Sequence, residues 1–101
     1  MEKSNKTIIK HIPDFLDYCE VEKGLRNNTQ KNYQRYLKKF TDWLKSNGFE
    51  SLLPHQLDSY HVFQYRLYLS RGQSLATGQT LKKSTQNYYL IALRAFLGYF
   101  V

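Results

Sequence analysis

The chain has 101 residues, which is enough for one small domain and excludes a two-domain enzyme within it. Hydrophobic residues make up 42% of the sequence and aromatic residues 16%, with only 5 Gly and 2 Pro, which is typical of a packed core and excludes a disordered segment. Fifteen Lys and Arg residues against eight Asp and Glu residues leave a net charge of +7, which favours a polyanionic partner.

The first periodic stretch predicts a helix from about residue 13 to residue 23. Pro13 is tolerated in a first turn, and Gly24 stands just past the end, where helices commonly terminate. The inner face of this helix is formed by apolar side chains at positions i, i+3, i+4 and i+7, namely Ile12, Phe15, Leu16 and Cys19.

The second predicted helix opens at Asn27, Asn28 and Thr29, all suitable N-cap residues, and stops at Asn47-Gly48. Its inner stripe consists of large apolar side chains at helical spacing, namely Tyr33, Tyr36, Leu37, Phe40 and Leu44. The opposite face is mostly cationic and consists of Lys31, Arg35, Lys38 and Asp42.

A third helix is predicted to start between Pro54 and Ser59 and to end at Leu69, with apolar residues on too many sides to identify its inner face. Residues 71–82 are predicted to form a loop or a short hairpin. The fourth helix is predicted to begin at Ser84, a good N-cap, with an inner stripe of Tyr89, Leu93, Phe96 and Phe100. Ile91 faces away from that stripe. The expected fold is therefore all-α, a compact bundle of four helices.

The second and fourth helices share a sequence pattern at an offset of 56 residues. The matched pairs are Thr29 with Thr85, Gln30 with Gln86, Tyr33 with Tyr89, Leu37 with Leu93, Lys38 with Arg94, and Phe40 with Phe96. A core explains the apolar pairs but not the Thr-Gln pairs. Helix N-termini carry free N–H groups and a partial positive charge, so two such starts flanked by Lys31, Lys82 and Lys83 are suited to holding phosphates.

Positive charge is concentrated in two blocks of the sequence. Residues 23–45 carry seven Lys and Arg residues and one acid, and residues 66–101 carry five Lys and Arg residues and no acid. Such blocks can fold onto one side and form a single positive surface, or they can be ordinary solvated helix faces.

The sequence lacks features of an exported or membrane-spanning chain. Cys19 is the only cysteine, and the first residues include no apolar secretory stretch, so a cytoplasmic protein is expected. The longest apolar stretch, residues 88–101, is interrupted by Arg94 and is shorter than the roughly 20 residues that span a bilayer. No membrane contact is expected.

Several ordered motifs of this chain resemble the N-terminal core-binding domain of the tyrosine recombinases, the phage-integrase family. The resemblance extends from about residue 12 to residue 101. It is carried by residues in a fixed order and spacing, namely Phe15-Leu16, Tyr18, Gly24-Leu25, Thr29, Tyr33, Leu37, Phe40, Trp43-Leu44, Ser84-Thr85, Asn87, Leu93-Arg94, Phe96 and Tyr99.

The resemblance implies a SAM-like four-helix domain over residues 12–101, preceded by an N-terminal extension over residues 1–11. Such domains grip one side of double-stranded DNA, while a C-terminal catalytic domain of the same protein, absent from this chain, closes on the other side and other recombinase subunits bind beside it. The starts of the second and fourth helices approach the major groove. Carried over by position, the DNA-binding residues are Asn28, Thr29, Asn32, Lys83, Ser84 and Asn87.

Three further cations are predicted to bind DNA because of their charge and position. Lys31 and Arg35 lie on the polar face of the second helix, and Lys82 flanks the start of the fourth. Two departures from the family pattern stand out. Asn27-Asn28 replaces the usual Ser-containing cap, and residues 73–81 form a longer connection than usual.

No catalytic residue is predicted in this chain. The family cleaves and rejoins DNA with an Arg, an H-x-x-R pair and a nucleophilic Tyr, and no His here has Arg three residues later. The chain is therefore expected not to cleave DNA, and it is expected to be a piece of a longer recombinase, because the helical pattern still continues at its last residues.

The tyrosines at helical spacing, like Trp43, are interpreted as packing residues. No cofactor and no metal site are expected.

Two other functions remain open. The first alternative is a SAM-like module that binds protein and helps subunits to assemble. The second is a stand-alone regulator with a helix-turn-helix, which the long connections at residues 47–57 and 71–83 disfavour, because the recognition helix of that motif follows a turn of three or four residues.

Overall fold

The structure, a computed structural model, describes residues 6–71 and 81–100. Within them lie four α-helices and one short 3₁₀ turn: α1 (Ile8–Val21), α2 (Asn27–Ser46), the 3₁₀ turn (Pro54–Gln56), α3 (Ser59–Arg71) and α4 (Lys83–Tyr99). The all-α class and the number of helices predicted from the sequence are confirmed. The predicted loop or hairpin at residues 71–82 falls mostly on residues 72–80, outside the described residues.

Helix α1 begins at Ile8, so the predicted start near Pro13 was wrong. The Thr7 hydroxyl caps the helix by accepting from the Lys10 N–H at 3.4 Å. Ile8 is fully buried, and its N–H donates to the Leu52 carbonyl at 2.9 Å. A proline inside a helix costs about 3 kcal/mol. Burial of Ile8 and its hydrogen bond to Leu52 offset part of that cost, and α1 extends into the segment expected to be an extension.

The N-caps predicted for α2 and α4 were wrong by one or more residues. Arg26 occupies the N-cap position of α2 and Lys82 that of α4, and neither side chain caps its helix. Instead a glutamine in each first turn reaches back to the preceding chain. The Gln30 side-chain N–H donates to the Leu25 carbonyl at 2.7 Å. The equivalent bond from Gln86 to the Leu81 carbonyl is 2.9 Å long.

These two bonds give the repeated Thr-Gln pattern a structural role. The side-chain amide of each glutamine ties the chain that enters the helix to its first turn, so the helix starts before the Asn or Ser residue expected as its cap. Leu25 and Leu81 are themselves related by the same offset of 56 residues, which is the sequence signal for this role.

We expect replacement of both glutamines, Gln30→Ala with Gln86→Ala, to lower the free energy of unfolding by about 2 kcal/mol, since one net hydrogen bond contributes about 1 kcal/mol. Urea unfolding followed by circular dichroism measures the loss. Gln34→Ala is the matched control, because this exposed α2 glutamine makes no such bond within the described residues. Equal midpoints for the double variant and the control would contradict the assigned role.

The other helix boundaries follow the sequence prediction more closely. Helix α2 ends where Asn47 donates its side-chain N–H to the Trp43 carbonyl at 2.8 Å, and Gly48 adopts a positive φ of 75°. Helix α3 begins at Ser59, within the predicted interval, because the Asp58 carboxylate accepts from the Tyr60 N–H at 3.0 Å.

One hydrophobic core joins the four helices, with α2 packed on α1 and α4, and α3 packed on α4. The side chains buried in it are Ile8, Phe15, Cys19, Leu37, Phe40, Trp43, Leu44, Tyr65, Leu69, Ala92, Leu93 and Phe96. The inner face of α3, which the sequence left undecided, is that of Tyr65 and Leu69. Tyr60 and Phe63 on the same helix are exposed.

The amino end of α2 lies near the carboxyl end of α4. Leu25, just before α2, and Tyr33, in its second turn, line a cavity of about 380 Å³ together with Gly98 and Tyr99, at the end of α4. Farther along α2, Tyr36 contacts the first turns of α4. The two amino ends therefore lie on opposite sides of the contact between Tyr36 and α4.

Candidate nucleic-acid interface

Eight of the nine residues predicted to bind DNA are exposed. Thr29, in the first turn of α2, is half-buried. The exposed side chains lie on the outward faces of the first half of α2 and the first turns of α4, and they are Asn28, Lys31, Asn32, Arg35, Lys82, Lys83, Ser84 and Asn87.

The structure brings part of the α2 set together. The Arg35 guanidinium donates to the Asn32 side-chain oxygen at 3.4 Å and to the Tyr36 hydroxyl at 3.2 Å. It also lies over the Tyr36 ring, 5.1 Å from the centroid, in a cation–π contact. Lys31, one turn earlier, lines a separate cavity beside Leu16 of α1.

An aromatic contact connects the α2 set to α4. The Tyr36 ring stacks on the Tyr88 ring with centroids 6.2 Å apart and planes 9° from parallel. Tyr36 also meets the Tyr89 ring edge-on at 5.1 Å. Tyr88 is 53% exposed, so it extends the polar surface of α2 onto α4.

We call the resulting surface the α2–α4 strip. It runs from the start of α2 across the Tyr36–Tyr88 contact to the start of α4, and its members are Asn28, Lys31, Asn32, Arg35, Tyr88, Asn87, Ser84, Lys83 and Lys82. Tyr88 is the member that sequence reasoning missed, because only charged and polar side chains near the helix starts were selected as DNA-binding residues.

The dimensions of the strip follow from helix geometry. Asn27 precedes Tyr36 by nine residues, or about 14 Å of helix, and Lys83 precedes Tyr88 by five residues, or about 8 Å. With helix axes about 10 Å apart, the two amino ends lie within about 25 Å of each other. That span is shorter than one turn of B-form DNA, about 34 Å.

Among the residues that the structure describes, most Lys and Arg side chains, those of the strip included, have no carboxylate partner. Within residues 6–71 and 81–100, no carboxylate pairs with Lys31, Arg35, Lys82 or Lys83. Lys38, on the same outer face of α2, instead contacts the Asp42 carboxylate at 3.3 Å. The strip thus presents positive charge that no neighbouring acid neutralises.

Several aromatic side chains and the cysteine, which could in principle take part in binding or catalysis, are packed in or against the core. Trp43 is 4% exposed, and the tyrosines at positions 33, 36, 65, 89 and 99 are buried or half-buried, as expected for core and core-rim side chains. Burial raises the pKa of the Tyr65 phenol well above its ordinary range. Burial also raises the pKa of the Cys19 thiol, which disfavours the reactive thiolate and agrees with the predicted buried cysteine.

The described part of the chain holds no group of three or more His, Cys, Asp or Glu side chains that could bind a metal ion. No helix in that part is both long enough and apolar enough to cross a membrane.

The chain belongs to the phage integrase family, since the model of the N-terminal SAM-like domain of phage integrases matches residues 12–101. Among individual proteins it is similar to the tyrosine recombinase XerD of Corynebacterium glutamicum, with 32% identity over 80 residues that cover 79% of this chain and 25% of that protein.

Two further relatives carry the same description. The tyrosine recombinase XerD of Mycobacterium tuberculosis is 26% identical over 89 residues, which cover 88% of this chain and 28% of that protein. That of Staphylococcus epidermidis is 47% identical over 36 residues, which cover 36% of this chain and 12% of that protein. The chain thus spans about a quarter of the length of the relatives that it matches most fully. No solved structure gives a significant match.

Proposed function

We propose that this chain is the core-binding domain of a site-specific tyrosine recombinase and that it grips double-stranded DNA with the α2–α4 strip. The observation that carries the proposal is the placement of four exposed cations on the strip, Lys31, Arg35, Lys82 and Lys83, beside the starts of both helices. Phosphate oxygens are suitable partners for such cations, and duplex DNA offers a regular row of them.

Each part of the strip has a role in this proposal. The first-turn N–H groups of α2 and α4, at the two ends of the strip, hold phosphates, helped by the partial positive charge of a helix start. Asn28 and Ser84 of the strip, and the half-buried Thr29 next to it, add hydroxyl and amide groups beside these N–H groups. Asn32 and Asn87 lie one turn further in and are suited to contact base edges.

Strand cleavage is assigned to another part of the protein. The chain contains no H-x-x-R sequence. We therefore assign to it affinity and positioning, and assign phosphotyrosine chemistry to a C-terminal catalytic domain of the same protein, acting together with other recombinase subunits on the DNA.

The proposal is tested by fluorescence anisotropy with a labelled 30-base-pair duplex at increasing salt concentration. The affinity is expected to fall steeply, with log K losing about 0.9 per tenfold rise in salt for each phosphate neutralised. Absence of duplex binding, or binding that does not depend on salt, would overturn the proposal.

The alternative function, subunit assembly through a protein-binding module, is favoured by one observation: Tyr60 and Phe63 of α3 are 59% and 55% exposed. Sedimentation velocity of the same chain without DNA separates the two functions. A monomer that binds duplex supports the proposal, whereas self-association without duplex affinity supports the alternative.

A further inference from the structure

The outward stripe of α4 contains two apolar side chains among polar ones. Tyr88 is 53% exposed and Ile91 is 49% exposed, and they lie three residues apart on the same side of the helix. The neighbouring exposed side chains of this stripe are Ser84, Asn87 and Arg94. Ile91, which faces away from the inner stripe, therefore lies on the surface of the domain.

Single exposed apolar residues are common on protein surfaces and need no explanation. This pair differs because Tyr88 belongs to the α2–α4 strip and Ile91 lies one turn beyond it, and because the Tyr88 ring is held in place. The Tyr88 ring stacks on Tyr36, which is itself fixed by the Arg35 guanidinium and by the Tyr89 ring. A ring held in this way loses little conformational entropy when it binds a partner.

The chemistry around the pair points to a particular partner group. An α-helix fits the major groove of DNA, and the only apolar group that the base pairs present there is the C5-methyl of thymine. An asparagine side chain can bind the adenine of the same pair through two hydrogen bonds. Asn87 directly precedes Tyr88 and lies one helical turn before Ile91, so amide and apolar groups occur side by side on α4.

We propose that Tyr88 and Ile91 form a site for thymine methyl groups in the major groove and that this site makes the chain prefer particular A·T pairs. The inference rests on the proposed function and deepens it, because the cations of the strip supply affinity without regard to sequence, whereas this apolar pair reads the bases. Arg35 and Lys83, at the borders of the pair, contact the flanking phosphates.

The test begins with selection of preferred duplexes by the chain from a randomised 30-base-pair library. Each thymine of the selected sequence is then replaced singly by uracil, which removes the methyl group and keeps the pairing edge. We expect one or two positions at which uracil weakens binding by about fourfold, the factor for burying one methyl-sized group. In the Ile91→Ala or Tyr88→Ala chain, uracil at one of those positions should make no difference.

Phe63→Ala is the matched control, since Phe63 is 55% exposed on α3, away from α4, and its loss should leave the discrimination between thymine and uracil intact. Circular dichroism confirms that each variant is folded. Ile91→Ala is the more conservative change, because Tyr88 also contacts Tyr36.

Two results would overturn the inference: no position at which uracil weakens binding, or a uracil effect that persists undiminished in both α4 variants. If duplex binding remains steeply salt-dependent in either case, the proposed function stands and only the thymine site falls. If the chain binds no duplex at all, both fall together.

Discussion

Replacing the four cations of the α2–α4 strip together, with Lys31→Ala, Arg35→Ala, Lys82→Ala and Lys83→Ala, is expected to weaken duplex binding by up to about a thousandfold at 0.1 M salt. Each phosphate contact contributes about 0.9 to the slope of log K against log salt, so loss of four contacts makes the slope shallower by about 3 to 4. Fluorescence anisotropy over a range of salt concentrations measures both the affinity and the slope.

The control for this experiment removes the same amount of charge elsewhere. Lys10, Lys45, Arg66 and Arg71 are exposed and lie outside the strip, on α1, at the end of α2 and on α3. Replacing these four residues by Ala leaves the same net charge as the strip variant. Any difference in affinity between the two variants therefore reports the position of the lost charges and not their number. If the control loses as much affinity as the strip variant, positive charge acts without regard to position and the strip is not the DNA-binding surface.

Phe96→Ala is expected to lower the free energy of unfolding by about 3–5 kcal/mol, the usual cost of emptying a buried aromatic site. Phe96 is fully buried, and its ring meets those of Phe15 at 5.4 Å and Phe100 at 5.0 Å between centroids. A domain of this size has a total stability of only about 5–15 kcal/mol, so this single change removes a large part of it. Urea unfolding followed by circular dichroism at 222 nm gives the shift in midpoint.

Phe63→Ala serves as the control for Phe96→Ala, because it deletes the same side chain at a position that is 55% exposed. Its cost is expected to remain below about 1 kcal/mol, as for most surface changes. A Phe96→Ala midpoint that matches the Phe63→Ala midpoint would show that the α1–α4 contact around Phe96 is not part of the stable core.

Hydrophobic periodicity was sufficient to predict the number of helices and the inner faces of α2 and α4, because those stripes alternate clearly with polar residues. It failed at α1, because proline is usually tolerated only in the first turn of a helix, and the predicted start was therefore placed at Pro13 instead of Ile8. The deciding factors there, burial of Ile8 and its hydrogen bond to Leu52, depend on distant parts of the chain. It also left the inner face of α3 undecided, because apolar side chains occur on all sides of that helix.

For the candidate site, the polar side chains selected from the sequence are exposed except Thr29, since exposure follows largely from position on a helix. The sequence could not predict how α2 and α4 are arranged relative to each other, because that arrangement is set by the whole core. The contact between Tyr36 and Tyr88, which links the two halves of the strip, and the opposite placement of the helix starts were therefore visible only in the structure.

The burial of Ile8 affects the choice of the first residue when this domain is expressed on its own. The family match begins at residue 12, yet the side chain of Ile8 is fully buried and its backbone N–H donates a hydrogen bond to the Leu52 carbonyl. A shortened protein trimmed to the matched limits would lack the first turn of α1 and leave a hollow among the helices. Expression boundaries for such domains are therefore better drawn from the buried residues than from the extent of a family match.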